Sequence, residues 1–125
     1  MVPCGARYWV YNLQMGKDSE FEGAKLQMRK GMLEFCTLLI IARDEVYASD
    51  ILKELKRADL IVVEGTLYPL LSRLKSEGLL EYDWKESLSG PPRKYYTLTQ
   101  KGKDKLSDMK ATWKSLVESI TTLQK

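Results

Sequence analysis

Val63-Glu64-Gly65-Thr66-Leu67-Tyr68-Pro69-Leu70-Leu71-Ser72-Arg73-Leu74-Lys75-Ser76-Glu77-Gly78-Leu79-Leu80 is the stretch on which the rest of the chain turns. Leu67, Leu70, Leu71 and Leu74 fall at i, i+3, i+4 and i+7, which places them in one stripe on a short helix facing a core. The opposite face carries Thr66, Tyr68, Pro69, Ser72, Arg73 and Ser76: small hydroxyls, a phenol and a guanidinium with no obvious buried partner. Groups of this kind suit contacts to phosphates and base edges. Gly78 stops the helix, and Leu79-Leu80 leads into strand-like sequence. Helix, glycine stop and hairpin, in that order, predict a winged helix-turn-helix.

The hairpin follows from alternation. Leu80, Tyr82 and Trp84 alternate with Glu81, Asp83 and Lys85, the two-residue period of a half-buried strand. Ser87-Leu88-Ser89-Gly90-Pro91-Pro92 has the composition of a turn. Arg93-Lys94 and Tyr95-Tyr96-Thr97-Leu98 form the return strand, with Tyr96 and Leu98 on one face and Tyr95 and Thr97 on the other. Arg93 and Lys94 thus stand at the base of an exposed tip, where a wing reaches phosphates or the adjacent minor groove.

Upstream, the segment from about Leu26 to Arg43 is helical in pattern but apolar on more than one side: Met28, Met32, Leu33, Phe35, Cys36, Leu38, Leu39, Ile40 and Ile41. Such a helix is either a central core helix or one that a second subunit also covers. Asp44 and Glu45 end it. A short amphipathic helix follows from Tyr47-Ala48-Ser49, with Ala48, Ile51, Leu52 and Leu55 inward and Asp50, Lys53, Glu54, Lys56 and Arg57 on a solvated face. In a helix-turn-helix this first helix lies across the backbone, and the second enters the major groove. Glu64 and Thr66 sit near the N-terminus of that second helix, where free N–H groups take a side-chain oxygen or an anion. Pro69 is expected near the first turn, where proline is tolerated. An ordinary core helix with a polar outside is the competing reading of this element.

Composition narrows the function classes. At 125 residues, 44% hydrophobic and 30% charged, the chain supports one ordinary core and one domain. Its longest apolar stretch, Phe35 to Ala42 broken by Thr37, falls well short of the roughly 18 residues of a membrane span, and the N-terminus lacks the order of a secretory signal; the expectation is a cytoplasmic protein with no membrane partner. Cys4 and Cys36 occupy unlike contexts and suggest neither a disulfide framework nor a metal cluster. The absence of histidine removes His-based zinc sites, Ser-His-Asp and Cys-His systems and the commonest general base. No constellation of acid, base and nucleophile remains, so neither an enzyme nor a cofactor is expected. The 20 basic and 17 acidic residues give +3, which permits nucleic-acid binding without arguing for it.

The sequence resembles the PadR-type transcriptional regulators. The resemblance rests on Y-A-S-D-I-L-K-E-L from Tyr47 to Leu55, E-G-T-L-Y-P-L-L-S-R-L-K-S-E-G-L-L from Glu64 to Leu80, and S-G-P-P-R-K-Y-Y-T-L-T from Ser89 to Thr99. Together these span most of Lys25 to Lys125, and the ordered pair G-T-L-Y-P-L-L and G-P-P-R-K-Y-Y-T-L-T is far more specific than an isolated short motif. The resemblance implies a winged helix-turn-helix homodimer that represses transcription, is released by a small molecule, and dimerises through a C-terminal helix. Ser49 stands where the family often has an aromatic residue after glycine, a departure that bears on local packing. The DNA-contacting residues expected are Ser49, Thr66, Tyr68, Pro69, Ser72, Arg73, Arg93 and Lys94. Arg73, Arg93 and Lys94 are assigned to phosphates, and Thr66, Tyr68, Pro69 and Ser72 to base edges or the groove wall, with Tyr68 alternatively a phosphate donor.

Thr99 is a plausible N-cap for the last helix, and Gly102 in its first turn makes the start soft. Beyond it Leu106, Met109, Trp113, Leu116, Ile120 and Leu123 recur at spacings of 3, 4, 3, 4 and 3, a heptad seam. A helix from Thr99 to Leu123 is about 38 Å long, too long for one small domain to cover. The seam predicts a dimer interface against a second copy, including its apolar first helix. Trp113 is either plain dimer core or, paired with its symmetry mate, the wall of a slot for a planar aromatic small molecule. The second reading follows the multidrug-sensing branch of the short-tailed PadR-type regulators, which A-T-W-K-S-L-V resembles.

The expected fold is therefore mainly α with a small β-hairpin wing, a winged helix-turn-helix plus a long C-terminal dimerisation helix. Residues 1–25 form an N-terminal extension, flexible or from an upstream start with Met15 as the natural first residue; 26–98 form the DNA-binding domain, and 99–125 the dimerisation helix. The expected function is a dimeric, ligand-responsive repressor that binds double-stranded operator DNA. The alternative is a winged-helix protein-interaction module without specific DNA binding.

Overall fold

The chain divides into two compact units, Met1–Leu33 and Glu34–Lys125, and the computed structural model describes residues 23–24, 27–60 and 62–125. The expectations placed on residues 1–22, namely the aromatic cluster of Tyr8, Trp9 and Tyr11 and a start at Met15, lie outside the described residues. Helix α1 covers residues 27–41 and crosses the unit boundary; the packing that follows is that of the second unit.

The second unit is built as the periodicity predicts. After α1 come α2 (Ala48–Arg57), α3 (Glu64–Ser76), an antiparallel hairpin of β1 (Leu80–Ser87) and β2 (Gly90–Leu98), and α4 (Gln100–Leu123). The fold is that of a winged helix-turn-helix. Each element contributes one face to a common core: Phe35, Leu38 and Ile41 from α1, Ile51 and Leu55 from α2, Leu67, Leu71 and Leu74 from α3, Leu80, Tyr96 and Leu98 from the hairpin, and Leu106 from α4. Leu70, expected in the α3 stripe, is half-buried at its edge. Among the described residues no helix is long and apolar enough to cross a membrane.

The connections are fixed by local chemistry. The Asp50 carboxylate accepts the Tyr47 backbone N–H at 3.0 Å and closes the start of α2. Asp59 ends that helix in the left-handed region at φ 60°, a conformation that Asp tolerates better than most residues, while the Leu60 N–H reaches the Leu55 carbonyl at 2.7 Å. Gly78 at φ +77° does the same for α3, with the Leu79 N–H on the Leu74 carbonyl at 3.0 Å. The hairpin runs in register from Leu80 opposite Leu98 to Lys85 opposite Arg93, and reaches Ser87 opposite Gly90 after an irregularity. Val46 adds a bridge on the free side of β2 through two hydrogen bonds with Tyr96 at 2.8 and 3.3 Å, so the wing is anchored at its base between β1 and the lead-in to α2.

Three local expectations are corrected. Pro69 is the sixth residue of α3, beyond the first turn; with no N–H to offer the Gly65 carbonyl it interrupts the ladder on an exposed face, where water can take that carbonyl. Trp84 is 61% exposed, because β1 runs beyond the body of the unit and the buried alternation ends at Tyr82. Gly102 does not soften α4. It is buried, and a Cβ there would lie 2.1 Å from the Leu79 carbonyl oxygen, so glycine permits the helix to touch the chain entering the wing.

Candidate nucleic-acid interface

α3 turns its leucines inward and leaves Thr66, Tyr68, Pro69 and Ser72 exposed on one face. Val63 caps the helix through its backbone alone, accepting the N–H groups of Thr66 and Leu67 at 3.0 and 3.1 Å. Ser49, the second residue of α2, is exposed near the start of that helix. These side chains are unencumbered donors, acceptors and apolar edges of the kind that a groove can take.

The three cations assigned to phosphates fare differently. Arg73, expected to lack a partner, is held by two carboxylates: Glu77 one turn on at 2.9 Å and Glu34 of α1 at 3.2 Å. Glu34 also receives Lys105 of α4 at 3.1 Å, so α1, α3 and α4 meet in one charged node. Burial by itself raises the Glu34 pKa, but the Lys105 and Arg73 cations paired with it outweigh that effect and hold the carboxyl below its ordinary value.

Arg93 and Lys94 are consecutive in β2 and so serve opposite faces of the hairpin. Arg93 lies over the Tyr47 ring at 5.1 Å, beside the stacked Tyr47–Tyr95 pair, whose centroids are 3.8 Å apart. Lys85 sits over Tyr95 at 4.6 Å and pairs with Glu45. Lys94 faces the other way, 4.5 Å from the Tyr82 ring and 5.3 Å from Trp84. Lys75, in the last turn of α3, reaches the same Tyr82 ring at 5.1 Å.

Sequence reasoning missed Tyr47, Lys75, Tyr82 and Trp84 as neighbours of the site. The hairpin register held a partial signal, since alternation puts Trp84 and Lys94 on one face. Nothing local marks Lys75, which joins that face only because α3 packs beside the wing.

The C-terminal end of α3 is clasped by the start of α4. The Thr99 hydroxyl donates to the Gly78 carbonyl at 2.6 Å and its oxygen accepts the Gly102 N–H at 3.0 Å. The Lys101 ammonium donates to the Glu77 carbonyl at 2.8 Å, and the Thr99 N–H to that of Leu79 at 3.1 Å. Farther along, α4 leaves the body. Met109 is half-buried, Trp113 is 44% exposed with its ring 6.4 Å from Phe35, and Leu116, Ile120 and Leu123 are exposed with Val117 beside them.

Comparison with known proteins agrees with this architecture. The defining pattern of the Transcriptional regulator PadR-like family matches residues 37–108, more than half of the chain. A PadR-like transcription factor from Bacteroides fragilis is 56% identical, with 81% of this chain and 98% of that one covered and a TM-score of 0.68. A PadR-like transcriptional regulator from Bacillus cereus is 41% identical over 79% of this chain and 97% of that one, with a TM-score of 0.71. A padr family transcriptional regulator from Eggerthella lenta is 32% identical over 89% and 97%, with a TM-score of 0.80.

Proposed function

This chain belongs to the Transcriptional regulator PadR-like family, and from that premise we propose that it is a dimeric, ligand-responsive repressor that binds operator DNA. The observation that carries the DNA-binding reading is the exposed polar face of α3, with Thr66, Tyr68, Pro69 and Ser72 free of the core, beside a wing that bears Arg93 and Lys94. α3 enters the major groove, with Thr66, Tyr68, Pro69 and Ser72 on base edges or the groove wall and Ser49 near the backbone. Arg93 and Lys94 contact phosphates from opposite faces of the wing. Arg73, committed to Glu34 and Glu77, contributes less to phosphate binding than the wing pair and more to orienting the helix.

Dimerisation is supported by the α4 seam. Leu106 is buried within one chain, but Trp113, Leu116, Ile120 and Leu123 lie exposed along one side, and a second copy supplies the apolar surface they lack. Each such side chain contributes about 1.5–3 kcal/mol when fully buried. The half-covered Trp113, against Phe35 on one side and open on the other, suits a slot between subunits for a planar aromatic effector, as it also suits plain packing. Because α4 grips the end of α3, a ligand that favours one angle between the α4 helices would bias the spacing of the two α3 helices.

The deciding experiment is binding of the protein to duplex from its own upstream region across a salt series. Steep weakening with salt, and a slope lowered by about one in Arg93→Ala, supports the reading. No binding to any duplex would leave a protein-interaction module as the better account.

A further inference from the structure

We propose that the cleft between the end of α3 and the inner face of the wing is a phosphodiester site, in which Lys75 and Lys94 clamp one backbone phosphate over Tyr82 while Trp84 packs on the adjoining deoxyribose. The inference rests on the DNA-binding reading above and adds residues from two elements that no motif joins.

Two ammonium groups, one from α3 and one from β2, lie 5.1 and 4.5 Å from the same tyrosine ring. Both lie against one ring, which gathers two positive charges in one neighbourhood, and an anion bound there lowers their mutual repulsion. Among the described residues, no carboxylate forms an ion pair with either lysine. Glu81 and Asp83 of β1 alternate onto the opposite face, Glu86 lies exposed at the irregularity in the register, and Glu77 is engaged by Arg73.

Trp84 identifies the anion's neighbour. It is 61% exposed, stands edge-on to Tyr82 at 6.2 Å and 89°, and has Lys94 5.3 Å from its ring. A large aromatic surface left open beside two cations matches a ligand that is anionic and apolar in alternation, as a sugar-phosphate backbone is. A duplex with α3 in its major groove carries one strand's backbone past the element that follows α3 in space, and here that element is the inner face of the wing.

The test uses the full chain and a duplex that the wild type binds. Lys75→Gln and Lys94→Gln are each expected to lower the salt slope by about one and to weaken binding to all sequences alike, by roughly tenfold at 0.1 M salt. Duplex addition is expected to change the tryptophan fluorescence of the wild type, and that change is lost in Trp84→Phe. If the wild type binds but Lys75→Gln keeps its slope and Trp84→Phe keeps the fluorescence change, the cleft assignment is overturned while DNA binding stands. If the wild type binds no duplex at any salt, both fall together.

Discussion

At the residue scale, Gly102 shows how a side chain can matter by being absent. In a helix interior Gly→Ala ordinarily stabilises by about 1 kcal/mol. Here the added Cβ would lie 2.1 Å from the Leu79 carbonyl oxygen, a backbone atom that cannot rotate away. Gly102→Ala is therefore expected to destabilise by about 1–3 kcal/mol net, read as a lower urea midpoint with an unchanged m-value. Tyr95 offers a second residue-scale test. Hydrogen bonding to Tyr47, then partial loss of water and the negative field of Tyr47, Asp50 and Glu45, push its phenol up to about 12. A folded-state pKa above the ordinary value of about 10 means that the contribution of the protonated Tyr95 phenol to stability is complete below that value and is lost as pH rises through the folded one. Ultraviolet titration should show a late-ionising tyrosine in the wild type, and Tyr47→Phe should bring it back toward the ordinary range.

At the element scale, α4 is attached to α3 in two places, and the two differ in kind. The clasp of Thr99 and Lys101 on Glu77 and Gly78 uses hydrogen bonds to carbonyls that the end of α3 leaves without helical partners. The second attachment is the node of Arg73, Glu34 and Lys105, which is electrostatic and titrates. Glu34 has a lowered pKa in the folded state, so its contribution is present above the ordinary carboxylate range and disappears as pH falls through the depressed value. Both cations are about half exposed, which limits the contribution to about 1 kcal/mol. Glu34→Gln should lower the urea midpoint at neutral pH, and the gap from wild type should close on acidification. A gap that persists at low pH would assign Glu34 a packing role instead.

At the scale of the whole molecule, the proposed dimer converts an exposed apolar helix into a core. Leu116→Asp places a charge in the middle of the seam, and burying it unpaired costs more than the leucine contributed. Sedimentation is expected to find monomer or aggregate for this variant and dimer for the wild type; a dimeric Leu116→Asp would move the interface elsewhere. The effector slot is tested by titrating planar aromatic compounds while following tryptophan emission. Quenching that depends on Trp113 should vanish in Trp113→Ala, whereas equal quenching in both proteins would trace it to Trp9 or Trp84 and leave Trp113 as packing.

The repeat of Leu67, Leu71 and Leu74, the alternation through Tyr82 and again at Tyr96 and Leu98, the glycine stop at Gly78 and the cap at Thr99 were all legible in the sequence, because each depends on residues within a turn or two of itself. So was the exposed face of α3, as the complement of its buried stripe. Periodicity assigns a residue to a face of its own element; it does not say which other element lies across from that face. The partner of Arg73 is 39 positions away at Glu34 and that of Lys101 is 24 away at Glu77, and the convergence of Lys75 with Lys94 on Tyr82 requires α3 and the wing to be packed before it exists. Gly102 looked like a weak helix start because propensity is a local quantity, while the Leu79 carbonyl that demands a glycine there is brought up only by the fold. The elements and their exposed faces were thus determined by the sequence alone, and the pairing of charges and the close approaches between elements were decided by the tertiary structure, since they depend on distances that no local pattern encodes.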